Sequence, residues 1–411
     1  MKPEEDVKFN MLDVGCGTQP KGDVNVDFFG DGFNPQTGDQ IKGFFMSSRN
    51  IKNFVMADAV HLPFRDGSFN VAFSSHTIEH IPDPLLMLRE MCRVAKRKVI
   101  VRCPHRKGSD AVKPYHINHF DEKWFKKASE VLGFKSKQFV ISYENPLTPR
   151  LNKISPYTLQ KSLIWSGLEH FERLKFMKKR KIPSEIEVWI RKKENLTTSE
   201  KTRFVVVYDR PQVFADCFGS STYFSKDAVT AFHNVNGEPL PKFYNKVVQK
   251  YLDQDTWLVF CHQDFRLNED LQSRLKGKEV QAVYGPIGSR PSEDHPLGMI
   301  IQTDGTLIGR ILESDTPVFT LDEMCLILHS EAFKQGLSFD ERFRFHFYGA
   351  DLCMQAYVIG LDVMALQLNC QHKSRTLHGD ITSPEYLSSL KLFKQKWKQF
   401  LPIRTTTKII T

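Results

Sequence analysis

The 411-residue sequence contains no apolar run near the ~18 residues that a membrane-spanning helix needs. It has no Cys-x-x-Cys pair. Its eight cysteines are scattered, which argues against a zinc knuckle or a disulfide framework and fits reduced thiols in a cytosolic protein. It lacks a low-complexity tract that would mark disorder, and it lacks an internal repeat, so its two halves are different domains. The opening Met1–Asp6 stretch is polar and acidic and does not read as a signal peptide.

What is present is charge, unevenly spread, on a chain too long for one ordinary core. Residues 1–194 carry 33 Lys+Arg against 23 Asp+Glu, and the remainder 24 against 25. Much of the excess lies between Arg173 and Lys193, including Lys178-Lys179-Arg180-Lys181. Such a run suits anionic lipid, nucleic acid or a phosphorylated acceptor. No aromatic stacking platform is interleaved with it, so a solvated basic face is the preferred reading. The expectation is a cytoplasmic protein, in peripheral contact with the inner membrane face or a lipid-linked acceptor if the run is functional.

From Val7 to about Lys193 short apolar strands alternate with amphipathic helices, as in a parallel α/β sheet. Strands are expected at Phe9–Val14, Asp23–Asp27, Phe54–Ala57, Asn70–Ser74, Lys98–Arg102, Lys135–Tyr143 and Glu185–Arg191, and helices at Pro84–Ala95 and Glu122–Leu132. The polar Glu194–Thr202 segment reads as a linker, after which Phe204–Tyr208 starts a second α/β series. The expected fold class is α/β with two Rossmann-like domains, over residues 1–194 and 203–411, joined by 195–202.

In the first half, Leu12-Asp13-Val14-Gly15-Cys16-Gly17-Thr18 is a strand running into a glycine turn, where backbone can approach a ligand closely. A second strand ends in Asp27, placed to accept hydrogen bonds from ribose hydroxyls. A third leads to Asp58, where an acid can receive an adenine amino group. A fourth leads through Ser75-His76 to Glu79-His80. The motifs DVGCG, ADAVHLPF, DGSFNVAFSSHTIEHI and HINHFDEKWFKKASEVLGF occur in an order that resembles the class I methyltransferases, type 11 group, over residues 8–193. The resemblance implies S-adenosylmethionine held by Asp13, Gly15 and Gly17 near its methionine part, Asp27 at the ribose, Asp58 at the adenine, and Ser75 beside them. Nine residues separate Gly17 from Asp27, too few for a helix plus connection, so a more open pocket is expected there. Methyl transfer needs mainly alignment, with a base only when the acceptor is a hydroxyl. His76, His80, His105, His116 and His119 are the candidates, and His80 is the one carried forward.

In the second half, Thr256–Asp264 is an apolar strand ending in His262-Gln263-Asp264. A strand-end carboxylate there can hold a divalent cation that bridges a nucleotide-sugar diphosphate. Asp351 opens an amphipathic stretch, and His372 closes a later strand as a further metal ligand. Together with Phe243-Tyr244-Asn245 and Phe339-Asp340-Glu341-Arg342-Phe343, these resemble the family 2 glycosyltransferases of GT-A fold over residues 203–375. That resemblance implies an inverting transferase using Mn²⁺ or Mg²⁺ at Asp264 and His372 with His262 nearby, Asp351 as base, and Asp322 and Glu323 at the acceptor. Asn234 stands where many members carry an acid, Ala350-Asp351 replaces a pair of acids, and His262 replaces the first acid of the metal motif.

The sequence therefore predicts a bifunctional transferase that methylates a sugar or glycan hydroxyl and adds sugar from a nucleotide-sugar donor in surface-glycan synthesis. One alternative makes the second half a non-catalytic glycan- or nucleotide-binding module. Nucleic acid is not an expected partner, because neither an Asn-Pro-Pro-Tyr type base-flipping motif nor an RNA-binding module is present.

Overall fold

The computed structural model describes residues 10–17, 19–28, 33–34, 39–40, 51–113, 115–134, 136–144, 182–191, 201–291, 293–302, 304–373 and 381–411. The chain forms two compact units that divide between Lys193 and Glu194. The Lys178–Lys181 basic run and linker residues 195–200 lie outside the described residues.

The first unit is built on a seven-stranded sheet. Its strands are β1 (Met11–Val14), β2 (Val24–Asp27), β3 (Phe54–Met56), β4 (Phe69–Ser75), β5 (Ala95–Pro104), β6 (Ser136–Glu144) and β7 (Ile182–Arg191). They lie in the order β3-β2-β1-β4-β5-β7-β6. The first five are parallel, and β7 runs antiparallel to both of its neighbours. Parallel strands covered on both faces read as continuous apolar runs, and all four residues of β1 are buried. Strand order reverses between β1 and β4, so their carboxyl ends open a crevice there.

Helix α1 (Pro84–Val94) starts where Asp83 accepts the Leu86 amide at 2.9 Å and Pro84 presets the first turn. It buries Met87, Leu88, Met91 and Cys92 on one stripe against the sheet core. Helix α2 (Glu122–Val131) is capped by Asp121, which accepts the Trp124 amide at 2.9 Å. Among the described residues no helix forms between β1 and β2, as the nine-residue spacing requires.

The second unit carries a mixed seven-stranded sheet and a smaller one. Its strands are β8 (Thr202–Tyr208), β9 (Val229–His233), β10 (Trp257–His262), β11 (Phe265–Leu267), β12 (Ala282–Gly285), β13 (Ile287–Ser289), β14 (Leu297–Gln302), β15 (Leu307–Arg310), β16 (Thr316–Pro317), β17 (Thr320–Leu321), β18 (Cys325–His329), β19 (Asp362–Ala365) and β20 (Cys370–His372). The main sheet runs β9-β8-β10-β18-β12-β19-β16, and β18 is antiparallel to both neighbours. The second sheet runs β11-β20-β14-β13-β17, with β15 beside β14.

Helix α3 spans Leu240–Tyr251, with Pro241 in its first turn. Helix α4 spans Tyr348–Ile359 and, contrary to the expected amphipathic stretch, is buried on every side, because Asp351 and Gln355 are its only charged or amide side chains. Helix α5 (Pro384–Lys396) is capped by Ser383, whose hydroxyl accepts the Tyr386 amide. No helix among the described residues is long and apolar enough to cross a membrane.

Candidate functional site

At the crevice of the first unit, the glycine turn follows from backbone geometry. Gly15 has φ 72° and Gly17 φ 51°, in the left-handed region that favours glycine. A Cβ on Gly15 would stand 2.1 Å from the Thr77 hydroxyl oxygen. The amides of Gly15 and Cys16 both donate to the Val26 carbonyl, which locks the turn onto β2.

Asp27, at the end of β2, accepts the Gly17 amide at 2.9 Å. Asp58 lies two residues beyond β3 and accepts the Val60 amide at 3.0 Å. Ser75 ends β4, and its carbonyl accepts the Thr77 hydroxyl at 3.3 Å. Asp13 is buried at 2% exposure and accepts the Lys21 amide at 2.8 Å. Burial pushes its carboxyl up to about 7, against the opposing Lys21 amide and charge. Asp13, Gly15, Gly17, Asp27, Asp58 and Ser75 thus all lie at or just beyond the carboxyl ends of β1 to β4.

The histidines divide by environment. His76 has φ 54°, and its Nε2 lies 2.9 Å from Glu185. Burial lowers its pKa, but the Glu185 bond and the Glu79 carboxylate 3.5 Å away outweigh this and lift it to about 9. It is therefore a cation at neutral pH and no base. The buried His105 receives the Lys107 amide on Nδ1 and donates from Nε2 to Glu122 at 3.3 Å, a structural arrangement. His119 is exposed. His80 donates from Nδ1 to the Tyr115 carbonyl at 3.1 Å, which leaves Nε2 as its lone pair.

In the second unit, a cleft of about 590 Å³ is lined by His262, Asp264, Asp322, Glu323 and His372 among others. A second hollow of about 220 Å³ shares His262 and Asp264 and reaches Asn234. His262 ends β10, and Asp264 sits in the turn to β11. The β11–β20 pairing sets Phe265 opposite His372, bringing His372 Nε2 to 3.3 Å from Asp264. Burial raises the Asp264 carboxyl, but the His372 bond and both imidazoles win and pull it down to about 2. His372 is raised by the same contact despite its burial, and burial lowers His262. One donor atom from each of the three lies within 4.8 Å of the others, and this nitrogen–oxygen set fits a divalent ion.

Glu323 accepts the Gly349 amide at 2.9 Å, at the start of α4. Phe347, at that helix's N-cap, has φ 67° and provides no side-chain cap. Burial pushes Glu323 up to about 8, although the Gly349 amide opposes this. Asp322 accepts the Thr406 hydroxyl at 2.8 Å.

The expectation for Asp351 requires correction. It does not open α4 but lies in its first turn, fully buried, and it does not line the cleft. Its carboxylate accepts from Trp397 Nε1 at 2.8 Å, Gln355 at 2.7 Å and Lys396 at 2.8 and 2.9 Å. A carboxylate with both oxygens engaged in this way has no access to an acceptor hydroxyl. Asn234 closes its own turn, accepting the Glu238 amide and donating to the Glu238 carbonyl, both at 2.9 Å. Sequence reasoning missed Thr405, Thr406 and Thr407, which line the cleft from the segment between two short strands, Ile403–Arg404 and Ile409–Ile410. They lie beyond residue 375, where the family resemblance stops.

Norajmaline N-methyltransferase of Rauvolfia serpentina is 34% identical over 101 residues, covering 21% of this chain and 32% of that protein. The chloroplastic tocopherol O-methyltransferase of Arabidopsis thaliana is 37% identical over 76 residues, covering 17% and 22%. The chain thus spans a third or less of these curated relatives. A SAM-dependent methyltransferase structure from Thermotoga maritima aligns over 45% of this chain and 82% of its own, with 16% identity and a TM-score of 0.30. Residues 35–103, within the first unit, match the family model of a methyltransferase domain.

Proposed function

We propose that the first unit binds S-adenosylmethionine across the β1/β4 crevice and transfers its methyl group to an acceptor, in our reading a sugar or glycan hydroxyl. The observation that carries this reading is the convergence at one sheet edge of a glycine turn held at positive φ with Asp27 and Asp58 at the neighbouring strand ends. Asp27 takes the ribose hydroxyls, Asp58 the adenine amino group and Asp13 the methionine ammonium. The matched residues 35–103 support the same reading. The test is transfer of labelled methyl from S-adenosylmethionine to a panel of glycans and nucleotide-sugars. Absence of both cofactor binding and transfer would end it.

For the second unit we propose glycosyl transfer from a nucleotide-sugar, with GT-A architecture. A mixed sheet with cleft residues at its strand ends supports this, as does the His262, Asp264 and His372 set. Of the two expected ions, Mn²⁺ and Mg²⁺, this set of two imidazoles and one carboxylate favours Mn²⁺, which when bound would offset charge on the departing diphosphate. The base is reassigned from Asp351 to Glu323, a carboxyl on the cleft raised by burial to about 8, so turnover that depends on its ionised form should rise as pH approaches 8. Asp322 and the Thr405–Thr407 segment would position the acceptor. Donor turnover should be lost in Asp264→Asn. Full turnover in excess EDTA would remove the metal from this scheme.

A further inference from the structure

The first unit holds a second constellation that cofactor binding does not use. Glu79 is buried at 1% exposure, and neither of its carboxylate oxygens has a hydrogen-bond partner among the described residues. Its nearest cation, His76 Nδ1, stands at 3.5 Å, beyond a good hydrogen bond. The buried His116 likewise has an Nδ1 without a partner. His76, a cation at neutral pH, offsets part of the Glu79 charge across that gap, yet a buried carboxylate whose oxygens accept no hydrogen bond is incompletely satisfied and can take a further positive ligand. His80 supplies a third donor, with its Nε2 lone pair freed because Nδ1–H is held by the Tyr115 carbonyl. One donor atom each from Glu79, His80 and His116 lies within 4.8 Å of the others.

The scaffold around them is fixed. The amides of Ile117 and Asn118 both donate to the Glu79 carbonyl, at 3.0 and 3.1 Å, and Asn118 Nδ2 donates to the Ile81 carbonyl at 2.7 Å. These bonds tie the segment carrying His116 to the one carrying Glu79 and His80. The His80 and His116 rings meet edge to face at 4.9 Å. The Thr77 hydroxyl bonds the Gly15 carbonyl at 3.2 Å, so the cluster borders the glycine turn.

We propose that Glu79, His80 and His116 form a binding site for a divalent transition-metal cation of the Zn²⁺, Co²⁺ or Mn²⁺ class. Two imidazole nitrogens and one carboxylate suit such ions better than Ca²⁺ or Mg²⁺, which favour all-oxygen shells. The Tyr115 carbonyl on His80 is the outer partner that commonly fixes a ligating imidazole. Three protein ligands leave a position for an oxygen donor, water or an acceptor hydroxyl. That last use rests on the methyl-transfer reading above, whereas occupancy of the site does not.

The test uses the untagged full-length protein, stripped with EDTA and dialysed, and titrated with Co²⁺ while visible absorption and bound metal are measured. The titration is done on an Asp264→Asn, His372→Ala background, so that the second unit's cluster does not contribute. One equivalent of Co²⁺ is expected to bind with a nitrogen–oxygen spectrum and to raise the unfolding temperature. Glu79→Gln, which keeps the side chain's shape, and His116→Gln should each weaken binding at least tenfold while unfolding in EDTA as the background protein does. No binding by that background, or unchanged Co²⁺ affinity in Glu79→Gln, overturns the proposal. S-adenosylmethionine affinity is measured separately by calorimetry without metal. Its loss with Co²⁺ binding intact would count against methyl transfer alone.

Discussion

Asp351 and Glu323 meet at the first turn of α4 under opposite conditions. Asp351 is ringed by donors from Lys396, Trp397 and Gln355, whereas Glu323 is buried against backbone amides and faces the cleft. Asp351→Asn should therefore leave Lys396 short of a partner and lower the second unit's stability by about 3–5 kcal/mol. Turnover per folded molecule should stay the same, as chemical denaturation and donor turnover together will reveal. Glu323→Gln keeps an acceptor for the Gly349 amide but removes the base, so turnover should fall ~10²–10⁴-fold. A carboxyl raised from 4.5 to about 8 adds stability that is full below pH 4.5 and is lost as pH rises through 8. The Gln variant should accordingly unfold later than wild type above pH 8. Wild-type turnover in Glu323→Gln would exclude it as base. Asp13 obeys the same rule, being raised by burial to about 7. Binding an ammonium requires its ionised form, so S-adenosylmethionine affinity should increase as pH rises through 7. Calorimetry in buffers of different ionisation enthalpy should record about one proton released below that pH.

The glycine turn and the β4 exit loop form one device, because Gly15 leaves room for Thr77 and nothing more. Gly15→Ala should cost ~1–2 kcal/mol in left-handed backbone alone, with the 2.1 Å contact added, and should weaken cofactor binding. Thr77→Ala should restore only part of this, since the Thr77 Cβ would itself stand 2.7 Å from the new methyl. Thermal unfolding and calorimetry of the single and double variants check both statements. Elements of this kind were legible in the sequence: apolar strands bounded by glycine, proline and acids mark their own ends, and a strand-end acid is visible as such. The start of α4 was not legible. It depends on Phe347 adopting φ 67° and on Glu323 capping from a distant loop. The fate of Asp351 was decided by Lys396 and Trp397, some 45 residues later, which no local pattern announces. Glu79, His80 and His116 could each be singled out, but only the backbone bonds from Ile117 and Asn118 reveal that they converge.

At the scale of the whole chain, each unit has a core of its own. One is built from β1, β4, β5, β7, α1 and α2, and the other from β8, β10, β12 and β18 with the loops that cover them. The residues assigned to S-adenosylmethionine, from Asp13 to Ser75, all belong to the first unit, which ends at Lys193. Nothing in the proposed cofactor site is drawn from beyond that boundary, so a fragment of residues 1–193 should fold and bind S-adenosylmethionine as tightly as the full chain. Within the fragment, Asp27→Ala removes the acceptor for the ribose hydroxyls. Charge-assisted hydrogen bonds are worth about 1.5–3 kcal/mol, so the loss should be about 2–3 kcal/mol, or some 30- to 150-fold in affinity. Calorimetry on four proteins, full chain and fragment with and without the substitution, separates the possibilities. Equal affinities for the two wild-type forms and the same drop in both variants support a self-contained site. A folded fragment that binds poorly would mean that residues beyond Lys193 complete the pocket. An unchanged affinity in Asp27→Ala would instead remove Asp27 from the ribose and reopen the assignment of the β2 strand end.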